Sequence, residues 1–300
     1  MTVPAPPERP APPLLDFGID TDFGRIAGLR GGRAGAPRVL ALHGWLDNAA
    51  SFVPLQPYLT GHDRSGIDLV ALDLPGHGAS AHLPASAEYT VVNAARAMFA
   101  AADALGWRTF ALLGHSLGAA VASVMAAAVP QRVDRLLAIE ALGALAEDTG
   151  RSALRLHRAF AEPPTPPRPL RVFPDVAAAV HARMKAGGIS EPAARLLVER
   201  SLAPSGDGYS WRSDPRLTRP TAVRMSEDQV RDLLGAIESP TRVIYANPAQ
   251  PYFPEPLRRA RFDCLRRGEL VVLDGGHHLH MEQPAAVAAA IGDYFMAAPD

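Results

Sequence analysis

The sequence Gly-His-Ser-Leu-Gly at residues 114–118 constrains the fold more than any other stretch of this chain. It follows a short apolar run and leads into an alanine-rich stretch. In a G-x-S-x-G pattern the serine sits on a strained turn between a strand and a helix, and flanking small residues let the turn close. We therefore predict a strand over residues 109–113, a helix over residues 117–129, and an exposed Ser116 hydroxyl where backbone N–H groups can stabilise an anion.

Apolar runs alternate with helix-like stretches along most of the chain. Short strands are predicted over residues 38–42, 67–72, 133–139, 241–246 and 269–273, preceded by an edge hairpin over residues 14–20 and 24–30. Longer helices are predicted over residues 89–105 and 284–295. Strands that alternate with helices form crossover units, so we predict an α/β fold in which a mostly parallel central sheet is flanked by helices.

The character of the sequence changes between residues 141 and 240. Prolines concentrate at residues 163–169, helix-like stretches follow at 176–185, 193–200 and 227–234, and there is little strand signal. We interpret residues 141–240 as a helical cap inserted between two parts of one core domain, residues 14–140 and 241–300. Residues 211–217 are predicted to anchor the cap by Arg–Asp pairing, and residues 1–13 to form a flexible tail.

Composition excludes several classes of partner. A net charge of -1 over 300 residues gives no general attraction to nucleic acid or to an anionic membrane. No apolar run approaches the roughly 20 residues needed to span a bilayer, and the first residues lack the pattern of a secretory signal. The single cysteine, Cys264, excludes an intramolecular disulfide and suits a reducing compartment, so we expect a cytoplasmic protein; its oligomeric state stays open.

Four motifs together resemble the α/β-hydrolase superfamily in order and spacing. They are His43-Gly44-Trp45, Asp-Leu-Pro-Gly-His-Gly at residues 73–78, the serine motif at residues 114–118, and Gly276-His277. Within the superfamily, residues 41–48, 211–217 and 276–280 resemble the vertebrate serine-hydrolase-like proteins and their bacterial relatives. The resemblance implies the α/β-hydrolase fold and a serine nucleophile assisted by a histidine and an acid.

The predicted base is a histidine near the end of the chain. A serine hydroxyl is a poor nucleophile until a neighbouring base removes its proton, so Ser116 requires a histidine close by in the fold. His277 fits the order nucleophile, acid, histidine and is preferred, while His278 remains the alternative. His280 also lies close, but the neighbourhood of this trio offers no obvious arrangement of acidic or thiolate ligands, so no metal is expected.

The predicted acid is Glu140. Many relatives carry an Asp after the next-to-last strand, but residues 246–251 contain no carboxylate. Glu140 ends the preceding strand and resembles the alternative acid position of haloalkane dehalogenases and some lipases, from which an acid reaches the same histidine. A carboxylate at the end of an apolar strand is costly to bury without a partner, although a role as a cap on the linker stays open.

The remaining motif residues are given supporting roles. The resemblance places the oxyanion hole at the backbone N–H groups of Trp45 and Leu117. His43, His77 and His115 are interpreted as structural. Two further stretches carry no predicted chemistry. Residues 73–78, with Asp73, are read as a tight turn, and the arginines between residues 258 and 267 as a solvated helix face.

These features predict a serine hydrolase that cleaves a small-molecule carboxylic ester through an acyl-enzyme, without a cofactor. Thioester or lactone hydrolysis uses the same triad and stays open. A serine at residue 116 disfavours the carbon attack performed by relatives with an aspartate there. A binding protein that has kept the fold and lost turnover is the alternative of another class. Phe173 and Met184 in the cap hint at an apolar acyl or alcohol group.

Overall fold

The structure is a computed structural model that describes residues 12–60, 66–161 and 170–296. The strands are β1 (Leu15–Thr21), β2 (Gly24–Gly32), β3 (Arg38–Leu42), β4 (Asp68–Leu72), β5 (Phe110–His115), β6 (Val133–Ile139), β7 (Leu202–Ser205), β8 (Gly208–Trp211), β9 (Thr241–Asn247) and β10 (Gly268–Asp274). The α-helices are α1 (Gln56–Thr60), α2 (Val91–Ala104), α3 (Leu117–Ala128), α4 (Ser152–Ala161), α5 (Val176–Gly187), α6 (Glu191–Ser201), α7 (Glu227–Gly235), α8 (Glu255–Phe262), α9 (Leu279–Glu282) and α10 (Pro284–Ile291).

Eight of these strands form one sheet in the order β1-β2-β4-β3-β5-β6-β9-β10. β1 pairs antiparallel with β2, and β2 pairs antiparallel with β4, while the other neighbours are parallel. The chain runs outward from β3 to β4 and then returns to the other side at β5. The carboxyl ends of β3 and β5 therefore flank the switch point at which α/β sheets bind ligands.

Apolar side chains fill both faces of this sheet. Leu40 and Leu42 of β3 belong to one buried cluster, which also takes in α2 and α3. Val39 and Ala41 alternate onto the opposite face and pack with Phe52, which precedes α1, and with residues from α1 and α10. Strands covered on both faces are continuously apolar, as β3 and β5 are. The predicted fold class is confirmed.

Helix and strand limits agree with the predicted limits to within a few residues. The helix predicted over residues 89–105 begins at Val91, because the Thr90 side chain accepts a hydrogen bond from Asn93 N–H and caps it. The closing helix ends at Ile291 instead of residue 295, and Gly292 follows with a φ of 53°. Side-chain caps and left-handed glycines therefore set helix ends that periodicity alone places only approximately.

The segment between β6 and β9 is mainly helical and also contains a hairpin. β7 and β8 pair antiparallel, and Phe173 forms a bridge to Tyr209 of β8, so the expectation of little strand structure was wrong here. Each strand has four residues, which is too short for an alternating pattern to stand out. α5 and α6 share a separate apolar cluster, whereas Val230 and Leu234 of α7 belong to the cluster of the main sheet.

Two predicted features fall largely outside the described residues. They are the tail at residues 1–13, of which only Pro12 and Pro13 are described, and the prolines at residues 163–169. Gln56 Nε2 donates to the carbonyl of Pro12 at 3.0 Å. Among the helices of the described ranges, none combines the length and the apolar character that a membrane crossing demands.

Candidate active site

Ser116 sits on a strained turn between β5 and α3. Its φ of 50° and ψ of -114° lie in a region that residues with a Cβ rarely adopt. A Cβ at Gly118 would lie 1.9 Å from the carbonyl oxygen of Leu42, and one at Gly114 would lie 2.4 Å from Ala119 Cα. Both glycines are therefore required for the turn to close against β3, and the strain holds the hydroxyl at the switch point.

His277 is the histidine that the structure brings to this serine. It lies on the loop after β10, and its Nε2 is 3.0 Å from Ser116 Oγ. A hydrogen bond holds the backbone of this loop, because His115 Nε2 donates to the carbonyl of His277 at 2.8 Å. The His277 side chain remains 22% exposed, so a substrate can reach it.

Glu140 faces the other nitrogen of His277. Its Oε2 is 3.1 Å from His277 Nδ1, and its side chain is fully buried at the end of β6. Glu140 has a positive φ of 61°, and Ala246 N–H donates to its Oε1 at 2.5 Å. With Nδ1–H donating to the carboxylate, Nε2 of a neutral His277 carries a lone pair toward Ser116, which is the tautomer a general base needs.

Arg258 completes the surroundings of Glu140 and was missed by the sequence reasoning. Its guanidinium lies 3.2 Å from Glu140 Oε1 and also donates to the carbonyls of Ala246 at 2.7 Å and Phe253 at 3.0 Å. Its charge therefore balances that of a carboxylate held out of water. The distance of 118 residues between Arg258 and Glu140 leaves no local signal for this pair.

The interpretation of the arginines of α8 as a solvated face was wrong for two of them. Arg258 and Arg261 are only 4% and 2% exposed. Arg261 pairs with Glu227 and donates to the carbonyl of Leu142, while Arg259 stays largely in solvent. Burial is possible because each inward guanidinium meets a carboxylate and backbone carbonyls, which replace its hydration.

The segments that carry Trp45 and Leu117 are brought together beside Ser116. Leu117 opens α3, and the close approach of Gly118 to the carbonyls of Leu42 and His43 places this helix start against the chain after β3. The indole of Trp45 is half exposed, and its Nε1 donates to the carbonyl of Leu217 at 3.1 Å. Trp45 therefore connects the predicted oxyanion segment to the inserted segment.

His43 and His77 hold the motif loops and lie away from the serine. His43 Nε2 accepts from Leu74 N–H at 2.9 Å, and its Nδ1 bonds to the carbonyl of Gly44 at 2.7 Å. His77 Nδ1 lies 3.1 Å from the carbonyl of Pro75. Burial lowers the pKa of His43 and lowers that of His77 to about 3, so both rings are neutral. Their role is to hold the motif loops by hydrogen bonds.

Asp73 lies in the predicted turn and also connects this turn to two other parts of the chain. Its carboxylate accepts from Ala49 N–H at 2.7 Å and from Ala79 N–H at 2.9 Å, which fixes two motif loops. It also accepts from Arg200 of α6 at 3.0 Å. The turn is thereby tied to the inserted segment by a buried ion pair.

His278 and His280 point away from the serine. His278 Nε2 lies 3.2 Å from Asp47 Oδ2, and His280 Nε2 lies 3.3 Å from Ser51 Oγ. Burial by itself would raise the pKa of Asp47, but the hydrogen bond from His278 and the nearby Arg183 outweigh burial, so this pKa is held below its usual range. Of the two candidate bases, only His277 is within hydrogen-bond distance of Ser116.

Polar contacts fasten the inserted segment to the sheet domain. Asn48 Nδ2 donates to the carbonyl of Leu197 at 2.7 Å and to Ser201 Oγ at 2.8 Å. Within residues 211–217, Asp214 pairs with Arg216 and accepts from Tyr89 Oη at 2.7 Å. The Arg–Asp pair predicted for this stretch is present and contacts the main domain.

A cavity of about 450 Å³ lies between residues 145–149, 226–228 and 252–261, and Ser116, His277 and Glu140 are not among its lining residues. Its wall includes Leu145, Tyr252 and Phe253, and Tyr252 Oη is 3.5 Å from His277 Nδ1. Phe173 and Met184 do not line this cavity, since both pack in the apolar cluster of α5 and α6. The apolar acyl or alcohol group suggested from these two residues stays a prediction.

Comparisons with known proteins agree with this architecture. The family described as alpha/beta hydrolase fold matches residues 37–284. A serine hydrolase-like protein of Dictyostelium discoideum is 28% identical over 295 residues, which cover 94% of this chain and 81% of the relative. A serine hydrolase-like protein of Danio rerio is 25% identical, over 93% of this chain and 87% of the relative.

Solved structures give the same result. A hypothetical protein from Pseudomonas aeruginosa is 35% identical, with a TM-score of 0.87 over 94% of this chain and 99% of that chain. The thioesterase domain from the curacin biosynthetic pathway is 25% identical, with a TM-score of 0.80 over 93% of this chain and 98% of that chain. The chain therefore belongs to the α/β-hydrolase fold family, within which it resembles the serine hydrolase-like proteins.

Proposed function

We propose that the protein is a serine hydrolase that cleaves carboxylic esters through an acyl-enzyme on Ser116. The observation that carries the proposal is the line of contacts from Ser116 Oγ to His277 Nε2 at 3.0 Å and from His277 Nδ1 to Glu140 Oε2 at 3.1 Å. A nucleophile, a base and a buried acid in this arrangement are the parts that acyl transfer requires. The relatives named serine hydrolase-like proteins support the same class of reaction.

In the proposed reaction, His277 Nε2 takes the proton of Ser116 as Oγ bonds to the ester carbonyl carbon. The carbonyl oxygen becomes an oxyanion, which the N–H groups of Trp45 and Leu117 stabilise. His277 then returns the proton to the departing alkoxide, leaving an alcohol and an acyl-Ser116. Water, deprotonated by the same nitrogen, attacks the acyl group, and the acid leaves as Ser116 regains its proton. Glu140 stabilises the imidazolium in both halves.

Thioesters are the second candidate substrates. They would pass through the same steps with a thiolate leaving group, and the similarity to a thioesterase domain favours them over lactones. Matched esters and thioesters of one acyl chain separate the two, since only the leaving group differs. A chain-length series from acetyl to dodecanoyl then measures how much acyl chain the site accepts.

A fluorophosphonate probe tests the proposal directly. The wild-type chain should be labelled at one serine, and Ser116→Ala should lose the label together with at least about 10³-fold of the esterase rate. Ser123→Ala is a matched control, because Ser123 lies on the same helix and its hydroxyl bonds to the carbonyl of Ala119. Absence of label on the wild type would favour a binding protein that has lost turnover, and equal label on Ser116→Ala would show that the reactive serine is not Ser116.

A further inference from the structure

Three metal-ligating side chains meet beneath the candidate active site without taking part in the proposed reaction. Asp47 comes from the loop after β3, His115 from the end of β5, and His278 from the loop after β10. All three are buried, with exposures of 1%, 0% and 8%. Asp274 and Glu282 each lie four residues from His278 in sequence, but neither belongs to this cluster, whose carboxylate comes from Asp47.

The spacing of their donor atoms fits one ion. Asp47 Oδ2 is 3.2 Å from His278 Nε2 and 3.7 Å from His115 Nδ1, and the three atoms lie within 4.8 Å of one another. Ligand atoms at about 2.0–2.1 Å from a tetrahedral zinc ion lie about 3.3 Å apart. The observed separations therefore need only small side-chain shifts to close around a cation.

The hydrogen bonding of His115 leaves its Nδ1 available as a ligand atom. Since Nε2 bonds to the carbonyl of His277, it carries the proton, and Nδ1 presents a lone pair. That buried Nδ1 has no hydrogen-bond partner among the described residues and lies 3.7 Å from a carboxylate oxygen, which is also an acceptor. Two facing acceptors repel unless a cation lies between them. A metal-ligating histidine characteristically donates its other N–H to a carbonyl, as His115 does.

Asp47 is also oriented for this role. Arg183 of α5 pairs with Oδ1, which leaves Oδ2 facing the two imidazoles. For His278, binding through Nε2 requires the ring proton to move from Nε2 to Nδ1. This shift replaces the Nε2–H···Asp47 hydrogen bond by two bonds to the ion, and it places a proton on Nδ1, which is buried without a described acceptor; metal binding must outweigh that cost.

We propose that Asp47, His115 and His278 bind one divalent transition-metal ion such as Zn²⁺, and that the bound ion inhibits the hydrolase. Two imidazoles and one carboxylate select zinc, cobalt, nickel or copper over magnesium and calcium. The site is distinct from the proposed catalytic residues, although His115 and His278 are the chain neighbours of Ser116 and His277.

The inhibitory half of this proposal rests on the proposed function. The His115 and His278 rings lie 4.9 and 5.4 Å, centroid to centroid, from the ring of His277. An ion adds two positive charges next to a base that must itself become positive in the transition state. Like charges disfavour that protonation, so the bound ion slows both halves of the reaction.

Cobalt absorption tests binding without reference to activity. Titrating the chelator-treated, untagged chain with Co²⁺ should give the visible absorption of a low-symmetry site, saturating at one ion per chain and displaced by Zn²⁺. His278→Gln should weaken this binding at least tenfold. His280→Gln is the control and should change it less than threefold, since the His280 ring packs 4.1 Å from that of His115 but its Nε2 bonds to Ser51 and no His280 nitrogen belongs to the cluster.

Three results would overturn binding at this site. They are a titration without saturation, equal affinity in His278→Gln and wild type, and loss of binding in His277→Gln with retention in His278→Gln, which would place the ion in the triad. Should His278→Gln fail to fold, anomalous diffraction at the zinc edge locates the ion in wild-type crystals.

Inhibition is supported if Zn²⁺ lowers the esterase rate at least tenfold, with the same midpoint as its binding, and overturned if the zinc-saturated protein keeps its rate. Lack of any esterase activity refutes the proposed function and leaves the cobalt result standing.

Discussion

Replacing Glu140 by Gln removes one charge from the candidate triad and leaves its shape nearly unchanged. Ala246 N–H still has an oxygen to bond to, so the loop after β9 should stay in place. The lost term is the attraction between the carboxylate and the His277 imidazolium, whose nearest atoms are 3.1 Å apart. With charge centres about 4 Å apart and an effective dielectric of about 20, this attraction is about 4 kcal/mol, or about 10³-fold in rate.

Arg258 reduces that effect. Its guanidinium lies 3.2 Å from the same carboxylate and already offsets part of the negative charge felt by His277. We therefore expect Glu140→Gln to lower kcat/KM for a p-nitrophenyl ester by about 10²–10³-fold, with KM changed little, because the interaction strengthens mainly in the transition state. The rate of fluorophosphonate labelling should fall in parallel.

Glu227→Gln is the matched control for this experiment. Glu227 pairs with Arg261, which lies on the same helix as Arg258, but it does not contact His277. Its rate should remain within about threefold of wild type, and thermal melts of both variants report whether each is folded. A folded Glu140→Gln that keeps a wild-type rate would refute the reasoning and move the acid elsewhere.

Two predictions concern stability. Gly118→Ala should lower the free energy of unfolding by at least about 3 kcal/mol in urea titrations, because its Cβ would lie 1.9 Å from the Leu42 carbonyl oxygen. Gly235→Ala is the control, since its Cβ would lie 3.9 Å from the Cys264 carbonyl oxygen, and it should change this free energy by less than about 1 kcal/mol. Equal effects of the two substitutions would contradict the clash. Burial lowers the pKa of His77 and of His280 to about 3 from 6.5, so below pH 6.5 the unfolded chain binds protons that the folded chain does not. Stability should therefore fall by about 2 kcal/mol per residue between pH 7 and pH 5, and a flat profile from urea titrations across that range would show that the rings protonate in the folded state.

Sequence patterns predicted the fold and the serine turn because both depend on local signals. Each parallel strand contains an apolar run of four residues that predicted it, and the paired glycines predicted the turn at Ser116. The choice between His277 and His278 needed coordinates, since adjacent side chains on a loop point in directions that no periodicity fixes. In the structure His277 faces Ser116 and His278 faces Asp47.

Partners distant in sequence could not be predicted. Asp47 lies 231 residues from His278, and Arg258 lies 118 residues from Glu140, so each pair exists only through the packing of strand ends. The buried arginines of α8 look like an ordinary polar helix face in the sequence. Composition gives charge but not its neutralising partners, and burial of a charge depends on those partners.

The position of Glu140 has a consequence for how this protein can change. Ser116 N–H donates to the carbonyl of Ile139, and Glu140 N–H donates to the carbonyl of Ile244. The backbones of the proposed nucleophile and acid are therefore each held by a hydrogen bond to the neighbouring strand of one sheet. The loop after β9, residues 248–252, carries no acidic residue. It connects β9 to Phe253, whose carbonyl accepts a hydrogen bond from Arg258. Within this loop Tyr252 contacts His277, so residues 248–251 are the natural place to vary sequence and length when selecting new substrates.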